Sequence, residues 1–345
     1  MLRSKIIKSA FLLILAATTI ALPHILNNDY WMSVVVFMGI NILLVCGIRH
    51  IWLVGNISLG QVGFSLVGAY CSALLAIHFH ISFWVTLMIA GVAAGLIALV
   101  LSYPFLKAKG VYFAVLTLAA SETMRLVAWH WSKLTGGASG LRDIPSPNPI
   151  HLPFLGVIDF GTLNGYYYLI LVVIWITLFI FYEMENSHLG FAWKCINDSV
   201  YLSHSLGVNV FVYKTITFVS ASFFAGIAGA LLAHLQGGLS ADPSSRFNIA
   251  TSIYFVACII VGGDKYFAGP IIGTIVLTIL TEVGRPLGAY VPMLIGGVMI
   301  VIAIFLSGGI VGVLYRMQSF LEKLIAQEKA TGAVAGNRLM KRYRG

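Results

Sequence analysis

The sequence predicts an all-α, polytopic transmembrane helix bundle of about ten spans, with inverted halves and broken or re-entrant helices as variants of that plan. Three observations carry the prediction. First, 59% of the 345 residues are hydrophobic and only 10% are charged, against ~45–50% and ~25% in a soluble domain, and the mean hydropathy is +0.94. So little charge cannot cover a water-facing surface, so the solvent must be lipid. Second, apolar runs recur along the chain, each bounded by charge, Pro or Gly. In lipid every backbone polar group needs an internal partner, which makes these runs helices or protein-buried broken helices. Third, Lys and Arg fall unequally on the two sides of those runs.

The runs fall at 9–26, 31–48, 56–78, 83–104, 110–130, 164–182, 211–235, 249–262, 270–284 and 290–307. The first follows a basic start, RSKIIK, and has the outline of a secretory signal as well as of a span; apolar character continues through Leu26, which favours a retained helix. The second lies between Asp29 and Arg49, and the third opens on the mixed string NISLGQ. Lys107 and Lys109 separate the fourth from the fifth, and a long Pro-rich loop at 131–163 separates the fifth from the sixth. A polar stretch, 186–209, precedes the seventh. GGDKYFAGP divides the short eighth and ninth runs, which invites a partly re-entrant pair. Arg285 and Pro286 precede the tenth, and 313–345 reads as a basic cytosolic tail following a transmembrane domain at 1–312.

With both termini in the cytosol, sixteen of the 21 Lys and Arg lie inside, and five, Arg125, Lys133, Arg142, Arg246 and Arg285, lie outside. That bias sets the topology and explains the net charge of +9 by the inner leaflet rather than by nucleic acid. Ten spans divide as five plus five, so equal halves would be inverted, as in many transporters. The echo of SETMR at 121–125 in TEVGR at 281–285 joins spans that run the same way, so it does not support that pairing. The four cysteines, Cys46, Cys71, Cys195 and Cys258, show no C-x-x-C spacing.

No chemistry of its own is written into the chain. G-x-x-x-x-G-K-[ST], H-E-x-x-H and G-x-S-x-G are all absent from the sequence, which points to a carrier or channel without cofactor or metal. Ser58 and Gln61 interrupt an apolar run with hydroxyl and amide groups; they either line a path for a polar solute or hydrogen-bond a neighbouring helix. Glu122 and Arg125 each cost ~2.5–3.5 kcal/mol at a helix centre. At i, i+3 they can neutralise one another, as a structural pair or as contacts for a zwitterion near the outer mouth. Glu282 and Arg285 sit nearer the interface. An ion-coupled secondary transporter or channel would need embedded acidic or histidine relays, and Glu122 is the one well-embedded carboxylate.

The stretch GFAWKCINDSVYLSHSLGVN, 190–209, is too long for a tight turn and too polar to span. Trp193, Ile196 and Val200 share one helical face, with Lys194, Asn197 and Asp198 elsewhere, which predicts a short amphipathic helix along the inner membrane surface. Leu206-Gly207 suits a helix ending on a left-handed glycine.

This stretch resembles the cytoplasmic coupling segment of the branched-chain amino-acid ABC permease family, G-R-A-x-R-A-I-R-D-[DE]-E-x-A-A-x-x-L-G-I-N-x-x-x-x-K. Gly190, Ala192, Lys194 (for Arg), Ile196, Asp198, Leu206, Gly207, Asn209 and Lys214 match or substitute mildly, whereas Phe191, Asn197, Ser199 and Val200 depart. Four further stretches agree in order: NISLGQVGFSLVGAYCSALL at 56–75, LKAKGVYFAVLTLAASETMRLV at 106–127, LTGGASGL at 134–141 with Thr135, Gly136, Gly137 and Gly140, and FFAGIAGALLAHLQGGLSADP at 223–243 followed by VGGDKYFAGPIIGT at 261–274. The resemblance implies the membrane-spanning permease subunit of an ABC importer in a bacterial inner membrane. The solute would be a branched-chain amino acid or a relative such as urea or a short amide. The implied partners are ATP-binding cassette subunits gripping 186–209, an identical or homologous second permease subunit, and an extracytoplasmic solute-binding protein at the loops around 131–163 and 236–248. ATP would be bound by the partner subunits alone.

Overall fold

A computed structural model describes residues 28–152, 156–158, 160–306, 308–313 and 315–317, together with 19, 22 and 23. Almost all of the expected first span, 9–26, and of the basic tail, 313–345, lies outside the described residues. The chain divides into two compact units, 1–256 and 257–345.

Among the described residues, the first unit holds six helices long and apolar enough to cross a bilayer. They are α1 (Asp29–Trp52), α2 (Gln61–Phe79), α3 (Phe83–Phe105), α4 (Val111–His130), α5 (Leu163–Asn186) and, after two short helices, α6 (His188–Asp198) and α7 (Val200–Ser205), α8 (Val210–Gln236). Even the 19 residues of α2 reach about 28 Å at ~1.5 Å per residue, close to the ~30 Å hydrocarbon core. Local chemistry sets the ends. Asn28 Oδ1 accepts from Tyr30 N at 3.0 Å to open α1, and Thr162 Oγ1 accepts from Gly165 N at 3.2 Å to open α5. Gly237, at φ 64°, closes α8 in the left-handed region open to glycine.

Helix α8 is the axis of this unit, packed against α1, α2 and α3. A Cβ on Gly68 would come within 2.4 Å of Gly226 Cα, and one on Gly229 would lie 1.8 Å from the Ser65 carbonyl oxygen. The FFAGIAGALL string therefore lets backbones touch, which matters where lipid removes the hydrophobic drive for helices to associate. The residue pairs also fix direction. Gln61 with Ser222 and Ser72 with His234 make α2 and α8 parallel, while Ala90 with Gly226 and Phe105 with Phe218 make α3 antiparallel to α8. Helix α4 buries only the stripe Phe113, Thr117, Ser121, Arg125 and Ala128.

The expected span 56–78 begins later than the apolar run does. Gly55 has φ +78°, residues 56–60 are non-helical, and the helix starts at Gln61. Asn56 and Ser58 are nonetheless buried. Leu59 N donates to Thr117 Oγ1 at 3.1 Å and Gly60 N donates to Ser58 Oγ at 3.3 Å. Irregular backbone is tolerated at membrane depth when protein supplies its partners.

The long loop after α4 is more ordered than its proline content suggests. It contains a one-turn helix, Ser132–Thr135, and a 3-10 turn, Gly137–Ser139. Strands β1 (Ile150–Leu152) and β2 (Gly156–Ile158) then pair antiparallel, with Ile150 opposite Ile158. Leu141 and Leu239 exchange both backbone hydrogen bonds, at 2.8 and 2.9 Å, and Ile144 N donates to Gly237 O at 3.0 Å. The loop is thus clasped to the chain leaving α8.

Helix α9 (Ile249–Gly262) runs across the boundary into the second unit, which continues with α10 (Gly269–Val283), a 3-10 segment at Arg285–Tyr290 and α11 (Val291–Phe305). Helices α9 to α11 have 14, 15 and 15 residues, or about 21–23 Å each, shorter than the six long helices. GGDKYFAGP forms the tight link between α9 and α10. A Cβ on Gly269 would lie 1.8 Å from Gly263 O, and one on Gly273 would lie 1.9 Å from Cys258 O. Tyr266 stacks on Tyr315 at 4.6 Å.

Candidate functional site

At the end of the first unit where Arg49, Lys107, Lys109, Lys194 and Lys214 collect, the polar stretch 186–209 folds as two helices rather than one. Ser187 Oγ accepts from Leu189 N at 3.2 Å and opens α6. Ser199 has extended backbone, and its Oγ accepts from Leu202 N at 3.2 Å to open α7. A serine that caps a new helix ends the old one, a break that the apolar periodicity did not show.

The apolar face of α6 meets protein rather than lipid headgroups. Trp193 and Ile196 are fully buried in a cluster with Val54 and Val210. Val200, expected on the same face, is 42% exposed on α7, a consequence of the break at Ser199. Gly190 seats α6 against the end of α5, because a Cβ there would lie 1.8 Å from Glu185 O. Gly55 accepts the other end, where a Cβ would come within 2.8 Å of Asn197 Oδ1. Gly207, at φ +80°, ends α7 with its N–H donating to His204 O at 3.0 Å.

The residues singled out in this stretch therefore divide by direction. Gly190, Ala192 and Ile196 face the bundle; Lys194, Asp198, Leu206 and Gly207 face out. Beside the outward group stand Phe191, Tyr201 and Leu202, exposed at 73%, 87% and 61%.

Three residues beneath this platform, Arg49, Glu185 and His50, escaped sequence reasoning. Arg49, at the end of α1, donates to both carboxylate oxygens of Glu185, at the end of α5, over 2.8 and 3.2 Å. His50 stacks on Phe181 at 4.6 Å and meets the edge of Trp193 at 4.7 Å. The sequence separation of 136 residues between Arg49 and Glu185 leaves no periodic signal for the pair.

Ser58 and Gln61 are buried inside the bundle. Gln61 Nε2 donates to Ser222 Oγ at 3.4 Å, a contact between α2 and α8, while Gln61 Oε1 is buried without a hydrogen-bond partner. Glu122 and Arg125 pair as their spacing predicts, with Arg125 Nε 3.0 and 3.1 Å from the two carboxylate oxygens. Arg125 Nη1 also donates to Ala241 O at 2.8 Å, tying α4 to the chain beyond α8. Glu282 and Arg285 pair at 3.0 Å with the Arg285 side chain 68% exposed.

At the opposite end, Thr135 Oγ1 donates toward Trp131 O at 2.8 Å. Gly136, Gly137 and Gly140 all have positive φ, and a Cβ on Gly140 would come within 2.3 Å of Leu239 O. The T-G-G-x-x-G string thus builds the clasp between the two outer loops. A cavity of about 530 Å³ opens there, with Arg142, Arg246, Asp242 and Gln236 among its lining. Ser244 and Ser240 donate to the Asp242 carboxylate at 2.6 and 2.9 Å and hold it below the usual carboxylate range.

Six long apolar helices, a protein-docked helical platform at one end and clasped loops at the other describe a multi-pass membrane transport component. The chain belongs to the family described as branched-chain amino acid transport system / permease component, which matches residues 30–304. It is 29% identical over 325 residues to the high-affinity branched-chain amino acid transport system permease protein LivM of Escherichia coli (strain K12), covering 89% of this chain and 76% of the relative. It is 28% identical over 329 residues, with the same coverage, to LivM of Salmonella typhimurium. No solved structure matches the chain.

Proposed function

We infer that this protein is the membrane-spanning permease subunit of an ATP-driven importer of branched-chain amino acids, set in a bacterial inner membrane with both termini in the cytosol. The match to the permease family across residues 30–304 carries this reading, and the relatives' printed role supplies the solute class. The chain provides a gate; ATP-binding subunits provide the energy. Their contact surface is the outward face of α6 and α7, where Phe191, Tyr201 and Leu202 expose apolar area and Lys194 and Asp198 add charge. Force applied there reaches the spans through the buried side of α6, by way of Trp193, Ile196 and the Gly190 contact with α5. A solute-binding protein docks on the clasped outer loops, and a second permease subunit completes the path. A ligand-driven switch needs contacts that differ between two states, and an exposed platform rigidly docked to the bundle supplies such a handle.

The test is uptake into proteoliposomes holding this chain with ATP-binding and binding-protein partners, using labelled leucine, urea and acetamide. Leucine accumulation dependent on ATP is expected. Phe191→Asp combined with Lys194→Glu is expected to lower ATP-dependent uptake at least ~10-fold while insertion and thermal unfolding are unchanged. Uptake at the normal level in that variant would remove the coupling role. Uphill leucine uptake by this chain alone on an ion gradient would overturn the whole reading.

A further inference from the structure

Beside the docked face of α6 and α7 lies a crevice of about 630 Å³, walled by the turn after α1, the link between α3 and α4, and the first turns of α8. Two lysines from distant parts of the chain line it, Lys109 from the α3–α4 link and Lys214 from α8, with His204 at the side. No carboxylate is in the lining. Lys214 Nζ reaches a neutral acceptor, Asn56 Oδ1, at 3.1 Å. Two ammonium groups held in one crevice whose lining, among the described residues, supplies no counter-charge call for an anion from outside.

The rest of the lining says what kind of anion. Val54, Leu106, Val210 and Phe211 make the remaining walls apolar, and the volume falls in the ~300–1,000 Å³ range of small-molecule sites, far more than inorganic phosphate fills. The rim is continuous with the lipid-facing surface. Phe211 meets the edge of Tyr103 at 6.2 Å, and Lys107 Nζ sits 3.9 Å over that same tyrosine ring. Tyr103 is 61% exposed on α3, below a stripe of exposed Leu96 and Val100. An aromatic ring under a lysine at a span end marks the headgroup level, and basic pockets between helices at the cytoplasmic side suit anionic lipid headgroups.

We propose that this crevice binds the phosphate-bearing headgroup of an anionic phospholipid, with Lys109 and Lys214 on the phosphate and the acyl chains leaving past Phe211 and Tyr103. The headgroup packs against Ile196, Asn197 and Tyr201 of the platform, so its occupancy stiffens α6 and α7 against the bundle. The lipid thereby acts on the element through which a partner would move the gate.

The test uses the full chain purified in detergent and exchanged into mixtures of phosphatidylglycerol and phosphatidylethanolamine, with retained lipid read by native mass spectrometry. That readout is independent of transport and of membrane orientation, so failure of the proposed function would leave it unaffected. The wild type is expected to retain phosphatidylglycerol at least ~10-fold over phosphatidylethanolamine. Lys109→Gln with Lys214→Gln is expected to abolish that preference, and the Lys→Arg pair to restore it. Lys107→Gln, outside the crevice, is expected to keep it. Because Lys109 is exposed in a link, Lys109→Gln alone keeps the fold and is expected to lose part of the preference should the double variant aggregate. Equal retention of both lipids by the wild type, or unchanged preference in the double variant, overturns the proposal. So does displacement of phosphatidylglycerol by low-millimolar inorganic phosphate, which would assign the site to a free anion. A double variant that keeps its lipid but loses a partner subunit would assign the lysines to a protein contact and overturn it equally.

Discussion

Arg125 shows how far a single residue can be read without coordinates. Its i, i+3 spacing from Glu122 foretells the pair, and the pair forms. The third contact, from Arg125 Nη1 to Ala241 O, spans 116 residues and was invisible. It changes the balance between the two roles considered for the pair, since Arg125 is occupied from both sides by the protein itself. Removing one member of a buried ion pair costs ~3–5 kcal/mol because the other charge is stranded. The Glu122 side chain is 26% exposed, so screening reduces that to about 1–3 kcal/mol here. Glu122→Gln is therefore expected to lower the unfolding midpoint in detergent more than the double change Glu122→Gln with Arg125→Gln does, while substrate preference stays as it was. Additive losses, or an altered solute profile with normal stability, would return the pair to the translocation path. Arg49 and Glu185, more deeply buried and likewise paired, had no local spacing to reveal them.

Helices are legible where a run of apolar residues is long, and less so where serine and glycine decide the break. Apart from the start of α2, the six long helices follow the apolar runs to within a few residues. The starts of α2 and α7 do not, because Gly55 and Ser199 set them by backbone conformation and capping rather than by hydrophobicity. Glycines separate in the same way. Gly68 and Gly207 look alike as letters, yet a Cβ on Gly68 would lie 2.3 Å from Gly226 O, whereas nothing lies within 4 Å of one on Gly207. Gly207→Ala is expected to cost only the left-handed strain, about 1 kcal/mol. Gly68→Ala must push α2 off α8, backbone against backbone, and is expected to cost about 3 kcal/mol or more. Unfolding of the two variants in the same detergent checks the contrast; equal losses would mean that α2 and α8 do not pack on their glycine faces. The α6 helix adds a further case. Trp193→Ala should cost about 3–5 kcal/mol by emptying the cluster with Val54 and Val210, measurable as a lowered midpoint together with faster exchange of the α6 amides.

At the scale of the whole molecule, the distribution of basic residues and the pairing of helices converge on one arrangement. Lys and Arg counts alone predict that 186–209 lies inside, with much of that bias carried by the two termini. The structure adds an argument that counting lacks. Arg49, Lys107, Lys109 and Lys214 come from four separate span ends, and Arg49–Glu185, Lys214–Asn56 and Tyr103–Phe211 join those ends to one another. A charge bias built from ends that meet is harder to invert than one built from loose tails, because all six spans must turn over together. The clasp between Leu141 and Leu239 and the hydrogen bond from His234 to Pro145 gather the opposite ends in the same way. Single cysteines at Tyr201 and Ser139, in a chain whose four native cysteines are replaced by serine, test this directly. A membrane-impermeant maleimide applied to intact cells is expected to label the Ser139→Cys chain and to leave the Tyr201→Cys chain untouched until the membrane is opened. Labelling of Tyr201→Cys from outside would turn the bundle over, and with it the side from which a motor could reach α6 and α7.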